Sequence, residues 1–370
     1  MKAQRQKTTA AVFTRADSFE ELTDGYRLTY PNTALWRERL EQFQADWQES
    51  CPHMSFELIS EGVGGKRQLE IRGPEGTKKW VLGSRHMLES HLIRAPTHRN
   101  RALSAWRLLS SPLRMKPDFL ILGAMKCGTT SLYTYLIEHP SIKRAFQKEI
   151  HYFDALHARG SLWYRSFFPS ILEKALSEKV LRRPLLTGEA TPSYLYHSHV
   201  APRVAKDLPH ARFFALLRNP VDRAYSFYNH NRRVGIETLP FEEAIDREPE
   251  RMELEPEQAR RSKDGFGFYR NNFSYLARGM YADQLAAWRE HIPEERLLVF
   301  TTEDLNDRPE RVLRQALEFL GLPYVAPPEF RRMNAAPYPA MEAATRRRLE
   351  EMMRPHNQRL YELLGRNLGW

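Results

Sequence analysis

Between Phe119 and Pro140 the chain reads FLILGAMKCGTTSLYTYLIEHP, a stretch whose residue types suit the holding of a phosphate. Gly123 and Gly128 keep the spacing of the triphosphate-binding pattern GxxxxGK[ST], but the lysine stands three positions early, at Lys126, and Thr129 and Thr130 follow the second glycine. Glycines let the loop turn its N–H groups inward, and a helix starting there adds partial positive charge. From the middle of the loop Lys126 can reach over a phosphate toward the group being transferred, supplying by point charge part of what a metal ion would. A triphosphatase also needs a metal-holding carboxylate at a neighbouring strand end. The run RFFALL (212–217) ends instead in Arg218-Asn219-Pro220, so a P-loop kinase is the weaker reading.

The elements that must hold this loop follow from the pattern. FLIL (119–122) reads as a buried strand, and Leu132, Tyr135 and Leu136 give the next segment helical spacing. RFFALL and Leu297 to Phe300 are two more buried strands, with LYTYLIEH, VAKDL, YADQLAAWREHI and ERVLRQALEFLGL as helices between and after them. The expected fold is α/β, a P-loop-like three-layer sandwich with a central parallel sheet, plus a small N-terminal α+β extension. We place the boundary so that residues 1–113 form the extension and 114–370 the main domain. In the extension, SFELISEGVGGKRQLEIRGPEGTKKWVLGS alternates around Gly and Pro turns and predicts two or three strands in a meander.

From His91 to Pro117 there is no Asp or Glu, against six basic residues: Arg94, Arg99, Arg101, Arg107, Arg114 and Lys116. Within it NRALSAWRLLSSPLR predicts an amphipathic helix with Leu103, Trp106, Leu109 and Leu113 on one side and Arg107 close to that face. Packing on the main domain is the favoured use, with binding to a membrane surface or an acidic polymer as the other. The acidic stretch from Glu237 to Gln258 predicts a surface helix and loop.

The whole chain of 370 residues carries a net charge of +10, which favours anionic ligands. Its two cysteines, Cys51 and Cys127, lie far apart and form no CxxC pair, so neither a disulfide framework nor a zinc site is expected. No run approaches the roughly 18 apolar residues of a membrane span, and no leader-like apolar segment opens the sequence, so a cytoplasmic protein is expected. No nucleic-acid recognition motif is present.

GAMKCGTTSLYTYL, KEIHYFD (148–154), GEATPSYL (188–195) and LLRNPVDRAYSFY (216–228), in that order, resemble the sulfotransferases that use 3′-phosphoadenosine 5′-phosphosulfate, in the branch holding heparan sulfate sulfotransferases and bacterial enzymes. The resemblance covers about Arg114 to Trp370. It implies that Lys126, Cys127, Gly128, Thr129, Thr130 and Ser131 bind the 5′-phosphosulfate of this co-substrate, that Arg218 and Ser226 clasp its 3′-phosphate, and that no metal is needed. It implies a base in KEIHYFD, either Glu149 as in the heparan-type branch or His151 as in the cytosolic small-molecule branch. If that segment is extended, His151 shares a face with Glu149 and assists it. GEATPSYLYHSHV is expected to border the acceptor cleft, with Glu189 as a second carboxylate and His197 and His199 as wall residues.

The implied activity is sulfuryl transfer to a hydroxyl, or less readily an amine, of a carbohydrate or glycolipid. A lipid or a carrier-bound polyketide hydroxyl is the alternative acceptor, and a non-catalytic protein binding acidic glycans is the reading from another class. Peripheral membrane contact is compatible with any of these. The chain departs from the heparan-type pattern in lacking a Lys-Gly-Arg loop near the end of the domain, which leaves Asn334 and Tyr338 as candidates for the last donor contacts.

Overall fold

Four short strands near the N-terminus pair antiparallel in the order β1-β2-β4-β3: β1 (Ser18–Glu21), β2 (Gly25–Tyr30), β3 (Ser55–Gly62) and β4 (Lys66–Arg72). Period-2 alternation puts Tyr26, Leu28 and Tyr30, with Leu69 and Ile71, on one buried face. Helix α1 (Ala34–Gln48) covers it with Trp36, Leu40 and Phe43, spaced at i, i+4 and i+7. The predicted meander region contributes two of the strands, β3 and β4. The others come from SFEE and GYRLTY, runs too short to stand out by alternation. The structure, a computed structural model, describes residues 12–13, 16–48, 51, 54–62, 65–74, 77–78, 81, 98–254, 267–331, 333 and 338–370.

The second sheet is parallel, with five strands in the order β6-β7-β5-β8-β9: β5 (Phe119–Gly123), β6 (Ile142–Arg144), β7 (Leu186–Ala190), β8 (Arg212–Leu217) and β9 (Leu297–Thr301). All five residues of β5 are buried, as a central strand covered by helices on both faces must be. Three strands coincide with the predicted apolar runs. β6 (IKR) and β7 (LTGEA) lack such runs and owe their strand character to pairing with neighbours. After β5 the chain goes outward to β6, returns through β7, and then crosses to β8 on the other side of β5. The carboxyl ends of β7, β5 and β8 therefore surround a topological switch point, where open α/β sheets bind ligands.

The basic segment forms helix α2 (His98–Leu109), but it does not dock by its apolar side. The Arg107 guanidinium reaches the main domain, donating to the carbonyls of Ser166 (2.7 Å) and Phe168 (2.9 Å) and lying 4.7 Å from the Phe146 ring centre. Burial pulls its pKa down to about 10. Leu103, Trp106, Leu109 and Leu113 face outward.

The described part of the acidic stretch, residues 237–254, holds two short helices, Phe241–Asp246 and Glu248–Glu253, with more of it buried than predicted, and residues 255–258 lie outside the described residues. Glu237 is paired with Arg251 at 2.6 Å and accepts from the Tyr275 hydroxyl. Glu248 caps the backbone N–H groups of Leu276 and Ala277.

Candidate active site

The loop after β5 leads straight into α3 (Thr129–Ile137), whose N-cap, Gly128, is in the left-handed region at φ 87°. Lys126 is left-handed too, at φ 70°, a conformation that costs a side-chain-bearing residue of order 1 kcal/mol and has to be held by its surroundings. Four hydrogen bonds hold it. The Thr302 hydroxyl donates to the carbonyls of Cys127 (2.9 Å) and Leu217 (3.0 Å), the Ala124 N–H donates to Leu216 O (2.7 Å), and Arg218 reaches the Lys126 carbonyl at 3.5 Å. The loop is thus pinned to the end of β8, and the first-turn N–H groups of α3 are oriented toward the switch point.

Burial, then the charges of Arg233 and Arg218, lower the Lys126 pKa. A lysine crowded by two guanidinium groups is a place that an anion would relieve. Cys127 is placed otherwise: its thiol is fully buried against Tyr281, 3.8 Å away, and burial pushes its pKa up to about 11. Its side chain is part of the wall, so only its backbone can face a ligand. The Tyr281 hydroxyl in turn donates to Arg218 O at 3.0 Å.

Arg218 follows β8 and lines a cleft of about 350 Å³ with Asp222, Tyr225, Tyr338 and Arg346. Burial alone would lower its pKa, but Tyr338 and, to a smaller degree, Cys127 and Asp222 together outweigh it and the pKa is raised. Ser226 lies buried two turns into α4 (Pro220–Arg233), and its hydroxyl has no protein partner among the described residues. A larger hollow of about 450 Å³, on the outer side of β9 near Val299, Arg311 and Arg366, holds none of the candidate residues.

KEIHYFD is not extended. Glu149 and His151 both have left-handed φ, 56° and 55°, so the shared face expected of a strand does not exist. The turn is moored to β7 instead: Glu149 N–H donates to Ala190 O at 3.2 Å and Ile150 N–H to the Glu189 carboxylate at 3.3 Å. The Glu149 carboxylate is 41% exposed and accepts from Lys148 at 3.2 Å. His151 is enclosed: its Nδ1 lies 2.8 Å from Asp154, which also accepts from the Ser193 hydroxyl. Burial would lower the His151 pKa, but the Asp154 charge prevails and raises it, which favours the imidazolium and weakens His151 as a base. Asp154 is held well below the usual carboxylate range: burial opposes this, and the charge of His151 overcomes it.

Glu189 does not face the acceptor. It is fully buried at the end of β7, accepting from Thr191 (2.7 Å), Tyr164 (2.8 Å) and Tyr194 (3.0 Å), and burial raises its pKa. Its work is to position the Glu149 turn. His197 bonds to the Asn271 side chain and is driven down to about 3 by burial, and His199 lies 3.2 Å from the Asp154 carbonyl.

Two partners escaped the sequence reading. Lys148 bonds to the Thr130 hydroxyl at 2.5 Å, and Met333 N–H donates to the Ser131 hydroxyl at 3.1 Å. Met333 thus meets α3 and Tyr338 meets Arg218, while Asn334 lies outside the described residues.

The Sulfotransferase domain family matches residues 116–338, more than half of the chain, a span that includes Lys126, Glu149, His151, Arg218 and Ser226. The chain belongs to the sulfotransferase family. Among curated relatives, this sulfotransferase is 27% identical over 320 residues to the membrane-associated sulfotransferase kil1 of Dictyostelium discoideum, covering 69% of this chain and 66% of that one. It is 29% identical over 290 residues to the heparan sulfate glucosamine 3-O-sulfotransferase 6 of Homo sapiens, covering 71% and 76%. Among solved structures, a sulfotransferase from Alicyclobacillus acidocaldarius is similar at a TM-score of 0.54 and 29% identity, over 69% of this chain and 98% of that one.

Proposed function

We propose that this sulfotransferase moves a sulfuryl group from 3′-phosphoadenosine 5′-phosphosulfate to a hydroxyl of a carbohydrate or glycolipid, with Glu149 as base. The observation that carries the reading is the arrangement at the strand ends: Lys126 and the N-terminus of α3 on one side, Arg218 with its cleft on the other, and the exposed carboxylate of Glu149 facing the first. The residues fit the donor. The N–H groups of α3 and Lys126 suit the 5′-phosphosulfate, while the planar guanidinium of Arg218 and the unpartnered hydroxyl of Ser226 suit the 3′-phosphate.

In this reading the acceptor oxygen attacks sulfur in line with the bond to the 5′-phosphate. As the new S–O bond forms and the old one breaks, the acceptor proton passes to Glu149, and the charge left on the phosphate oxygen is met by Lys126 and the helix N-terminus. Lys148, bonded to both Glu149 and Thr130, keeps base and loop at a set separation. The raised pKa of His151 argues for Glu149 as the base. Relatives named as heparan sulfate glucosamine 3-O-sulfotransferases support a sugar hydroxyl as acceptor, while one named as a heparan sulfate N-deacetylase/N-sulfotransferase supports the amine as the second choice.

The test is transfer of labelled sulfate from the donor to heparan-type oligosaccharides and to glycolipids, with and without chelator, in wild type and Glu149→Gln. We expect chelator-insensitive transfer that collapses in the variant while 3′,5′-bisphosphate binding persists. Binding of a triphosphate only with Mg²⁺, or undiminished transfer by Glu149→Gln, would overturn the reading.

A further inference from the structure

Helix α2 turns its polar side inward and its apolar side out, the reverse of an ordinary surface helix. Trp106 is 62% and Leu109 79% exposed, and Leu103 and Leu113 continue the same side. The orientation is built in. Rolling the helix to bury Trp106 would strip Arg107 from the carbonyls of Ser166 and Phe168 and from its seat on Phe146.

A second apolar row adjoins the first. Pro169 and Ser170 pair with the chain just after α2 through the Arg114–Ser170 bridge and the Met115 N–H bond to Pro169 O, and Arg165 donates to Pro112 O at 2.7 Å. The helix that follows, Ile171–Lys179, exposes Leu172 (71%) and Leu176. Isolated exposed leucines need no explanation, but here two exposed apolar rows lie on segments hydrogen-bonded to each other. The charge beside the second row is cationic on balance: Lys143, Lys174, Lys179, Arg182 and Arg183 stand against Glu173 and Glu178, which pair with Lys143 (3.7 Å) and Lys174 (3.9 Å).

We propose that this surface docks on an anionic lipid membrane, with Trp106, Leu109, Leu172 and Leu176 entering the interface and the flanking cations meeting lipid headgroups. Apolar side chains including a tryptophan, flanked by long cationic ones in excess over acidic ones, are the chemistry of an interfacial anchor. A solvated protein partner would be asked to cover the same apolar area against this surplus of cations. The patch also reaches the site: Phe146, which carries the Arg107 guanidinium, is three residues from Glu149. Docking would set the Glu149 turn close to the plane of the lipid headgroups.

The experiment is co-sedimentation of the full chain with phosphatidylcholine vesicles, with and without phosphatidylglycerol. We expect binding only when phosphatidylglycerol is present, weakening as salt is raised. The double variants Trp106→Ser/Leu109→Ser and Leu172→Ser/Leu176→Ser should each lower the vesicle partition coefficient by about tenfold or more. Both should keep the wild-type unfolding temperature and 3′,5′-bisphosphate affinity, since these side chains touch neither core nor site. The proposal is overturned if wild type stays in the supernatant with anionic vesicles or if either variant partitions like wild type. It is equally overturned if wild type is a dimer in sedimentation velocity that the first variant dissociates, because the face is then covered by a second copy.

Discussion

The Lys148 ammonium donates to the Thr130 hydroxyl at 2.5 Å, joining the turn that carries Glu149 to the first turn of α3. The same ammonium lies 3.2 Å from the Glu149 carboxylate, so one side chain spans the two halves of the proposed chemistry. Lys148→Met keeps length without charge. It should lower kcat by about 10- to 100-fold while leaving 3′,5′-bisphosphate affinity within a few-fold, as expected when a positioning contact is lost. A loss confined to KM would place Lys148 in acceptor binding instead.

Lys126→Ala should cut kcat by about 100-fold or more, the scale of removing a charge from a transition-state site, and weaken bisphosphate binding much less. Since Arg233, Arg218 and burial lower the Lys126 pKa, the alkaline loss of kcat/KM in wild type should begin below the ordinary lysine value of about 10.4. Stopped-assay pH profiles would show it. Equal losses of turnover and of bisphosphate affinity in Lys126→Ala would mark the residue as a simple anchor.

Arg218→Lys exchanges a planar fork for a point charge and should weaken bisphosphate binding by about 10- to 100-fold in calorimetry. Tyr338→Phe removes only the hydroxyl that supports Arg218 and should cost less. The reverse ranking would move the anion site from Arg218 to the C-terminal segment.

The His151–Asp154 pair should give stability a bounded pH window. His151 is raised in the fold, so its contribution is complete below about 6.5 and drains away as pH rises through the raised value. Asp154 is lowered, so its contribution is complete above about 3.9 and is lost as pH falls through the lowered value. The difference in unfolding temperature between wild type and His151→Asn should therefore peak between about pH 4 and 6.5. A difference that is flat in pH would show the two side chains to be uncoupled.

Glu189→Ala leaves the hydroxyls of Tyr164, Tyr194 and Thr191 without an acceptor in a fully buried place, and should destabilise the fold by about 3 kcal/mol or more in chemical denaturation. Below the melting range it should also lower kcat, because the Ile150 N–H loses its mooring. Normal turnover in the folded variant would make Glu189 a purely structural residue.

The phosphate loop was legible because strand, glycines, lysine and helix are contiguous, and each element follows from local pattern. β7 was not, since LTGEA has no apolar run and becomes a strand only by lying between β5 and β6. Glu189 was misread for the same reason: its burial comes from Tyr164, 25 residues earlier, and from Tyr194 across the turn. The apolar side of α2 was read correctly as a side, but which way it faces is decided by the carbonyls of Ser166 and Phe168, about sixty residues away. Lys148 escaped because a lysine beside a glutamate reads as a local ion pair until Thr130 is brought against it.

The hydroxyls of Tyr281 and Thr302 brace the Cys127–Gly128 turn and Arg218 as one piece, through Arg218 O, Cys127 O and Leu217 O. The gap between the two cationic jaws is therefore a caliper set at a single opening. Such a device sorts ligands by the distance between their charged ends before chemistry begins. An adenosine phosphate with the right total charge but only one phosphorylated end would touch one jaw and leave the other empty.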